Sequence, residues 1–172
     1  MIDTIRRFLN MIGPERERTA LDALFTAVSD ALLSQSLMSA GLVIKGVGNT
    51  LAKTGGSAWY GYVNGVLVTK AAATDMAALS GTVTNAKFNV FCFFVDSGGT
   101  LSSVMGTEGA SLATIQFPTR PANKTLIGFV IINPTGTGNF VGGTTALDDA
   151  TVVPNAVYVN SIGPWDSTFK MS

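Results

Sequence analysis

The sequence predicts a mainly β protein: an antiparallel sandwich, jelly-roll or small-barrel body of about seven to nine strands, with an N-terminal α-helical arm. Three observations lead there. Charge is uneven: residues 1–30 hold nine of the 22 charged side chains, and the other 142 residues hold 13. Apolar spacing is helical before residue 40 and strand-like beyond it. Gly, Thr, Val, Ala and Asn crowd the second part, where turn signals recur. The expected division is a helical arm for docking or oligomerisation over 1–40 and a β-rich body over 41–172.

The arm comes first. Ile2, Ile5, Phe8, Leu9 and Ile12 share one helical stripe. Gly13-Pro14 ends it, since Gly takes the left-handed cap and Pro cannot continue the ladder. Pro14 suits the first turn of a second helix, and Glu15 and Glu17 favour its positive end. Leu21, Leu24, Phe25, Val28 and Leu32 carry the spacing on to about Met38. Such a stripe must be buried somewhere. The body of the same chain, other copies and a scaffold are all open as its partner. The candidate interface residues are Ile5, Phe8, Leu21, Leu24, Phe25, Val28 and Leu32.

The body opens with a short strand at Leu42-Val43-Ile44. Trp59–Val63 and Val66–Lys70 flank Asn64-Gly65, the pair that supplies two positive-φ residues to a type I′ hairpin. Ala71 to Leu79 permits a short helix. Lys87 to Val95 is aromatic and β-rich, and Asp96-Ser97-Gly98-Gly99 turns it into Thr100 to Met105. Ser111 to Phe117 reads as a further strand. Thr125 to Ile132 is almost entirely apolar, which places it centrally with both faces covered. Phe140-Val141 and Ala156 to Asn160 complete the set.

Composition bounds the function. Hydrophobic residues make up 47% and charged ones 13%, the latter about half of what an ordinary soluble domain carries. So little charge suits a surface that meets other protein. The net charge is zero, and the cations of the body stand singly between Lys45 and Lys170. Phosphate binding needs clustered Lys and Arg, so neither a nucleic-acid nor a membrane partner is expected. No apolar run approaches the ~18 residues of a membrane span, and the charged N-terminal segment does not read as a signal peptide.

Chemistry-bearing residues are sparse. Without histidine, Ser-His, Cys-His and His-metal schemes are closed. Cys92 lies in Phe91-Cys92-Phe93-Phe94-Val95 with no basic neighbour, as a buried, inert thiol would. Asp148-Asp149 would point to opposite faces of a strand, a weak basis for calcium. Gly136 to Gly142 has no phosphate lysine and opens no helix, which reads as a turn-rich loop. Asn123-Lys124-Thr125 matches a glycosylation acceptor by chance. Trp59, Tyr60, Tyr62 and Trp165 could stack on sugar, although packing explains them more simply. No catalytic residue, cofactor or metal is expected, and the chain does not read as an enzyme.

Three phrases carry a likeness: Tyr62 to Lys70 (YVNGVLVTK), Phe93 to Leu101 (FFVDSGGTL) and Gly128 to Phe140 (GFVIINPTGTGNF). They resemble structural proteins of tailed-bacteriophage virions. The resemblance implies a non-enzymatic virion part assembled in the host bacterial cytoplasm. Within that group, small neutral β proteins with an arm look like capsid decoration (cement) proteins. Head-fibre and tail components are the main competitors, and a carbohydrate-binding module is the reading from another class. The implied partners are copies of the chain itself, as a homotrimer, and the major capsid protein or another virion protein. No site residue comes with the likeness.

Overall fold

Residues 15–165 are described by the computed structural model. The first expected helix, with Ile5 and Phe8, lies outside them. Helix α1 spans Glu15–Leu33, with Glu15 and Glu17 in its first turn. It stops short of Met38, and the reason is a competing set of bonds. The Gly65 N–H reaches the Leu33 carbonyl at 2.8 Å. The Gln35 side-chain amide reaches the Leu32 carbonyl at 3.1 Å. Asn64 N–H bonds to Ser34 Oγ at 3.0 Å. Carbonyls that a longer helix would satisfy internally are thus taken by a hairpin turn and a side chain. The chain then enters β1, Gln35–Ser36.

The fold is mainly β, built from antiparallel sheets. The remaining strands are β2 (Val43–Ile44), β3 (Ala52–Lys53), β4 (Trp59–Val63), β5 (Val66–Lys70), β6 (Thr82–Val83) and β7 (Asn89–Asp96). They continue with β8 (Leu101–Met105), β9 (Lys124–Ile132), β10 (Phe140–Val141), β11 (Val157–Asn160) and β12 (Gly163–Pro164). Two four-stranded sheets dominate, ordered β12-β1-β4-β5 and β11-β9-β7-β8. The pairs β2-β3 and β10-β6 are small separate ladders. The strand count exceeds the expected seven to nine because several are two-residue bridges, too short to leave a periodic signal in the sequence.

The Asn64-Gly65 hairpin forms as the sequence requires. Asn64 has φ +52° and Gly65 φ +77°, and Val63 faces Val66 across the turn. Strand β9 lies between β11 and β7 and is buried along nearly its whole length. Its pairing with β7 slips by one residue: Phe93 faces Gly128, whereas Phe94 faces Leu126. Ile127 is the extra residue of this bulge. The slip lets Ile127 and Val130 share one face while Leu126 and Phe129 share the other. Gly128 is needed there, because a Cβ would sit 2.5 Å from the Val159 carbonyl oxygen and 2.6 Å from Leu42 Cδ1.

The β7-β9 layer therefore has apolar packing on both sides. On one, Phe91, Phe93, Val95, Ile127, Val130 and Ile132 meet Trp59, Val63 and Val68 of the other main sheet. Phe140 adds an edge-on ring contact with Phe91, centroids 5.8 Å apart. On the far side Val90, Cys92, Phe94, Leu126 and Phe129 pack under Ile115 and Phe117. Each fully buried aliphatic or phenyl side chain contributes about 1.5–3 kcal/mol relative to exposure.

Two expected elements are absent. Ser111 to Phe117 is not a strand: Leu112–Thr114 forms a 3-10 turn. Thr114 Oγ1 accepts from Ser111 N–H and donates to the Ser111 carbonyl, both at 3.0 Å. Such local bonds compete with ladder pairing. Ile115 and Phe117 are still buried beyond the turn. Ala71 to Leu79 is not a helix. Thr54 Oγ1 bonds to the Ala71 carbonyl and accepts from Thr74 N–H, and Ala73 takes φ +57°. These bonds hold the segment extended enough for Met76 and Leu79 to reach the core.

Candidate docking surface

Five of the seven candidate interface residues fall within α1. Leu21, Leu24, Val28 and Leu32 are exposed, Leu24 to 61% and Leu32 to 65%. Phe25 is half-buried. The helix thus shows most of its apolar stripe to solvent. The surface continues through exposed Leu33 at the helix end and Leu37 and Met38 beyond it.

The hairpin extends it further. A Cβ at Gly65 would touch Leu33 Cδ2 at 3.5 Å, so the turn abuts the end of the helix. Immediately beyond it Val66 is 50% and Leu67 54% exposed. Asn64 Nδ2 also bonds to Asn123 Oδ1 at 2.9 Å, tying the turn to the approach of β9. Sequence reading missed Val66 and Leu67 as surface residues. The available signal was an apolar residue on each face of an alternating strand, which leaves one of them outside whichever face is buried.

Several ionisable groups of the body have local structural work. Asp148 accepts Gly48 N–H with both oxygens, at 3.1 and 3.0 Å. Asp149 accepts from Thr151 N–H at 2.9 Å within its own turn. Lys45 and Asp75 form an ion pair at 2.6 Å. The Thr100 N–H, 2.8 Å away, holds Asp96 below the usual carboxylate range. Thr84, through backbone N–H and then hydroxyl, does the same for Glu108. Burial among phenylalanines pushes the Cys92 thiol well up, which keeps it protonated and unreactive. Among the described residues no group of three or more His, Cys, Asp or Glu side chains is placed to hold a metal ion.

A shallow cleft of about 320 Å³ lies beside β11, lined by Ile44, Leu147, Asp148, Pro154 and Tyr158 among others. Burial, then the charge of Asp148, pushes the Tyr158 phenol up to about 12. A phenol held neutral in this way can pack or share a hydrogen bond but offers no nucleophile.

The aromatic residues divide. Trp59 is fully buried and donates Nε1–H to Ser36 Oγ at 2.7 Å. Trp165 packs edge-on against Phe117, centroids 4.9 Å apart. Tyr60 is exposed and Tyr62 half-buried, so the four do not form one open platform. In the glycine loop, a Cβ at Gly136 would overlap the Thr151 carbonyl oxygen. That glycine serves close backbone packing. No helix of the described residues is long and apolar enough to cross a membrane.

No protein-family model matches the chain, and searches of curated proteins and of solved structures return no match.

Proposed function

We propose that the chain is a structural protein of a tailed-phage virion, most specifically a capsid decoration protein. In this reading the two main sheets form a sandwich-like body that lies on the shell. Helix α1 docks on a neighbouring subunit, and copies of the chain associate with one another. The observation that carries the proposal is the exposed stripe Leu21, Leu24, Val28 and Leu32 beside a body that buries its own core without it. The virion-like phrases of the sequence and its low charge density support the same reading.

Such a protein works by linkage. It binds the assembled shell and not the separated subunits, and so stabilises assembly by mass action. Many small contacts suffice, with no reactive group. The test is depletion. Particles assembled without this protein should form but lose their genome at lower temperature, and adding back the purified chain should restore them. Depleted particles of full stability that fail at adsorption would instead favour a head-fibre or tail adaptor. A positive glycan array would favour a carbohydrate-binding module, and polysaccharide cleavage by the purified chain would overturn the structural reading altogether.

A further inference from the structure

Among the described residues strand β5 is one of the two outer strands of its sheet, the other being the two-residue β12 with Pro164. The unpaired groups of β5 can be identified. In a two-residue hairpin, Val63 and Val66 form the closing hydrogen-bonded pair, and bonded and non-bonded pairs then alternate. Leu67 faces Tyr62 and Thr69 faces Tyr60, so both are non-bonded positions. Two contacts agree with this: the Tyr60 carbonyl accepts from Leu37 N–H at 3.0 Å, and the Tyr62 carbonyl from the Thr125 hydroxyl at 2.6 Å. Leu67 and Thr69 therefore turn their N–H and C=O groups outward, and among the described residues no hydrogen bond reaches those four groups.

Sheet edges are ordinarily guarded by Pro, a bulge or an exposed Lys. Here Val66 to Thr69 has none of these. Lys70, at the end of the strand, has its ammonium bonded to the Gly99 carbonyl. The outer strands of the other sheet differ: β8 is half-buried, with Ser103 Oγ bonded to the Ala78 carbonyl at 2.6 Å, and β11 is half-buried beyond Val157, with Asn160 Oδ1 accepting from Leu42 N–H at 2.9 Å.

We infer that β5 is a self-association seam, on which a second copy of this chain pairs its own β5 antiparallel about a two-fold axis through Val68. That register sets Leu67 opposite Thr69 of the partner subunit and Thr69 opposite the partner's Leu67. Each pair exchanges two hydrogen bonds, so all the open groups are satisfied. Lys70 falls opposite the partner's Val66, so no like charges meet, and the paired Val68 side chains continue the core face. A strand pair alone covers less than the ~1,000 Å² of a specific interface. Val66, Leu67 and the adjoining Leu33, all exposed, supply the apolar rim. The inference rests on the proposed self-association and replaces the expected count of three with pairs.

The test is sedimentation of the full chain across micromolar concentrations, for wild type and three variants. Thr69→Pro removes an outward donor without touching the β4 ladder, and proline is tolerated on edges. Leu67→Lys installs the missing guard. Leu24→Lys alters only the helix stripe. The wild type should be dimeric, and Thr69→Pro and Leu67→Lys should raise the dissociation constant by roughly tenfold or more. Leu24→Lys should leave it unchanged. Should Thr69→Pro fail to fold by circular dichroism, Leu67→Lys decides alone. An assembly that Leu67→Lys leaves intact, or a trimeric wild type, overturns the seam while self-association stands. Loss of assembly in Leu24→Lys alone moves the contact to α1. A monomeric wild type overturns the seam and self-association together.

Discussion

Gly65 donates its backbone N–H to the carbonyl of Leu33 at 2.8 Å, joining the turn of the β4-β5 hairpin to the last residue of α1. One residue thereby sets two things, the register of the hairpin and the point where the helix ends. At φ +77° it occupies a region that a β-branched side chain enters only under strain.

Gly65→Val should cost about 1–3 kcal/mol from that strain alone. The helix end should loosen with it. Thermal melting should show a clear fall in midpoint, and hydrogen exchange should show faster exchange at the C-terminal turn of α1. An unchanged melting curve would mean that the turn accommodates a side chain by changing type.

Two truncations separate α1 from the sheet. Removing residues 1–33 leaves β1 in place between β4 and β12. Removing 1–38 takes β1 away and with it Ser36 Oγ, the acceptor for the buried Trp59 indole. A buried donor left without its partner costs about 1–3 kcal/mol, before the lost ladder bonds are counted. The shorter deletion should therefore melt near the wild type and the longer one far below it. Equal melting of the two would show that β1 contributes little.

The hairpin, the β7-β8 pair and β9 were legible because each writes its rule into local sequence. Asn64-Gly65 fixes a turn type, and the run Leu126 to Ile132 is too apolar to face water. The bulge was not legible, since Ile127 and Gly128 look the same in sequence whether or not β9 slips against β7. Strand β1 was hidden because Gln35-Ser36 extends the helical spacing. Only distant partners draw it into the sheet: Gly61 and Tyr62 of β4 and Gly163-Pro164 of β12 through the ladder, and Asn64-Gly65 and Trp59 reaching back to residues 33–36. Of the docking surface, the α1 stripe was readable from periodicity. Val66 and Leu67 were not, because which face of β5 is covered depends on the other sheet.

Stability should fall on both sides of neutral pH for identifiable reasons. Asp96 and Glu108 are held below their ordinary values of 3.8 and 4.5 by bonds from Thr100 and Thr84. Their contribution is present above those values and is lost as pH falls through the lower folded ones. Both are exposed, so the acid effect should be small. Tyr158 is raised from 10.0 to about 12, so its contribution is complete below 10.0 and is lost as pH rises toward 12. Melting midpoints against pH should be flat through neutrality and drop in both windows. Tyr158→Phe should reduce the alkaline drop and leave the part due to Cys92, whose raised thiol loses its contribution from its ordinary value of 9.0 upward.

Cys92 gives an independent probe of the core. The thiol is fully buried and raised well above its ordinary pKa by desolvation. A thiol reagent should leave the native chain unlabelled at neutral pH and label it fully in denaturant. Rapid labelling of the folded chain would mean that the Ile115 and Phe117 cover opens readily.

The last test concerns the helix stripe. Leu24 and Leu32 are among the most exposed apolar side chains of α1, so neither contributes much burial to the isolated fold. Surface changes away from packed features usually alter stability by only about 0.5 kcal/mol. The double variant Leu24→Ser, Leu32→Ser should accordingly keep the wild-type melting curve. If α1 docks on a virion subunit, the same variant loses two side chains of the kind that anchor a helix in an apolar groove. Incorporation into depleted particles should then drop several-fold, while a double variant of two exposed polar residues, Thr19→Ala, Thr26→Ala, should not change it. A marked loss of melting temperature in the leucine variant would instead show the stripe packing within its own chain. Full incorporation at unchanged stability would place the docking contact elsewhere than α1.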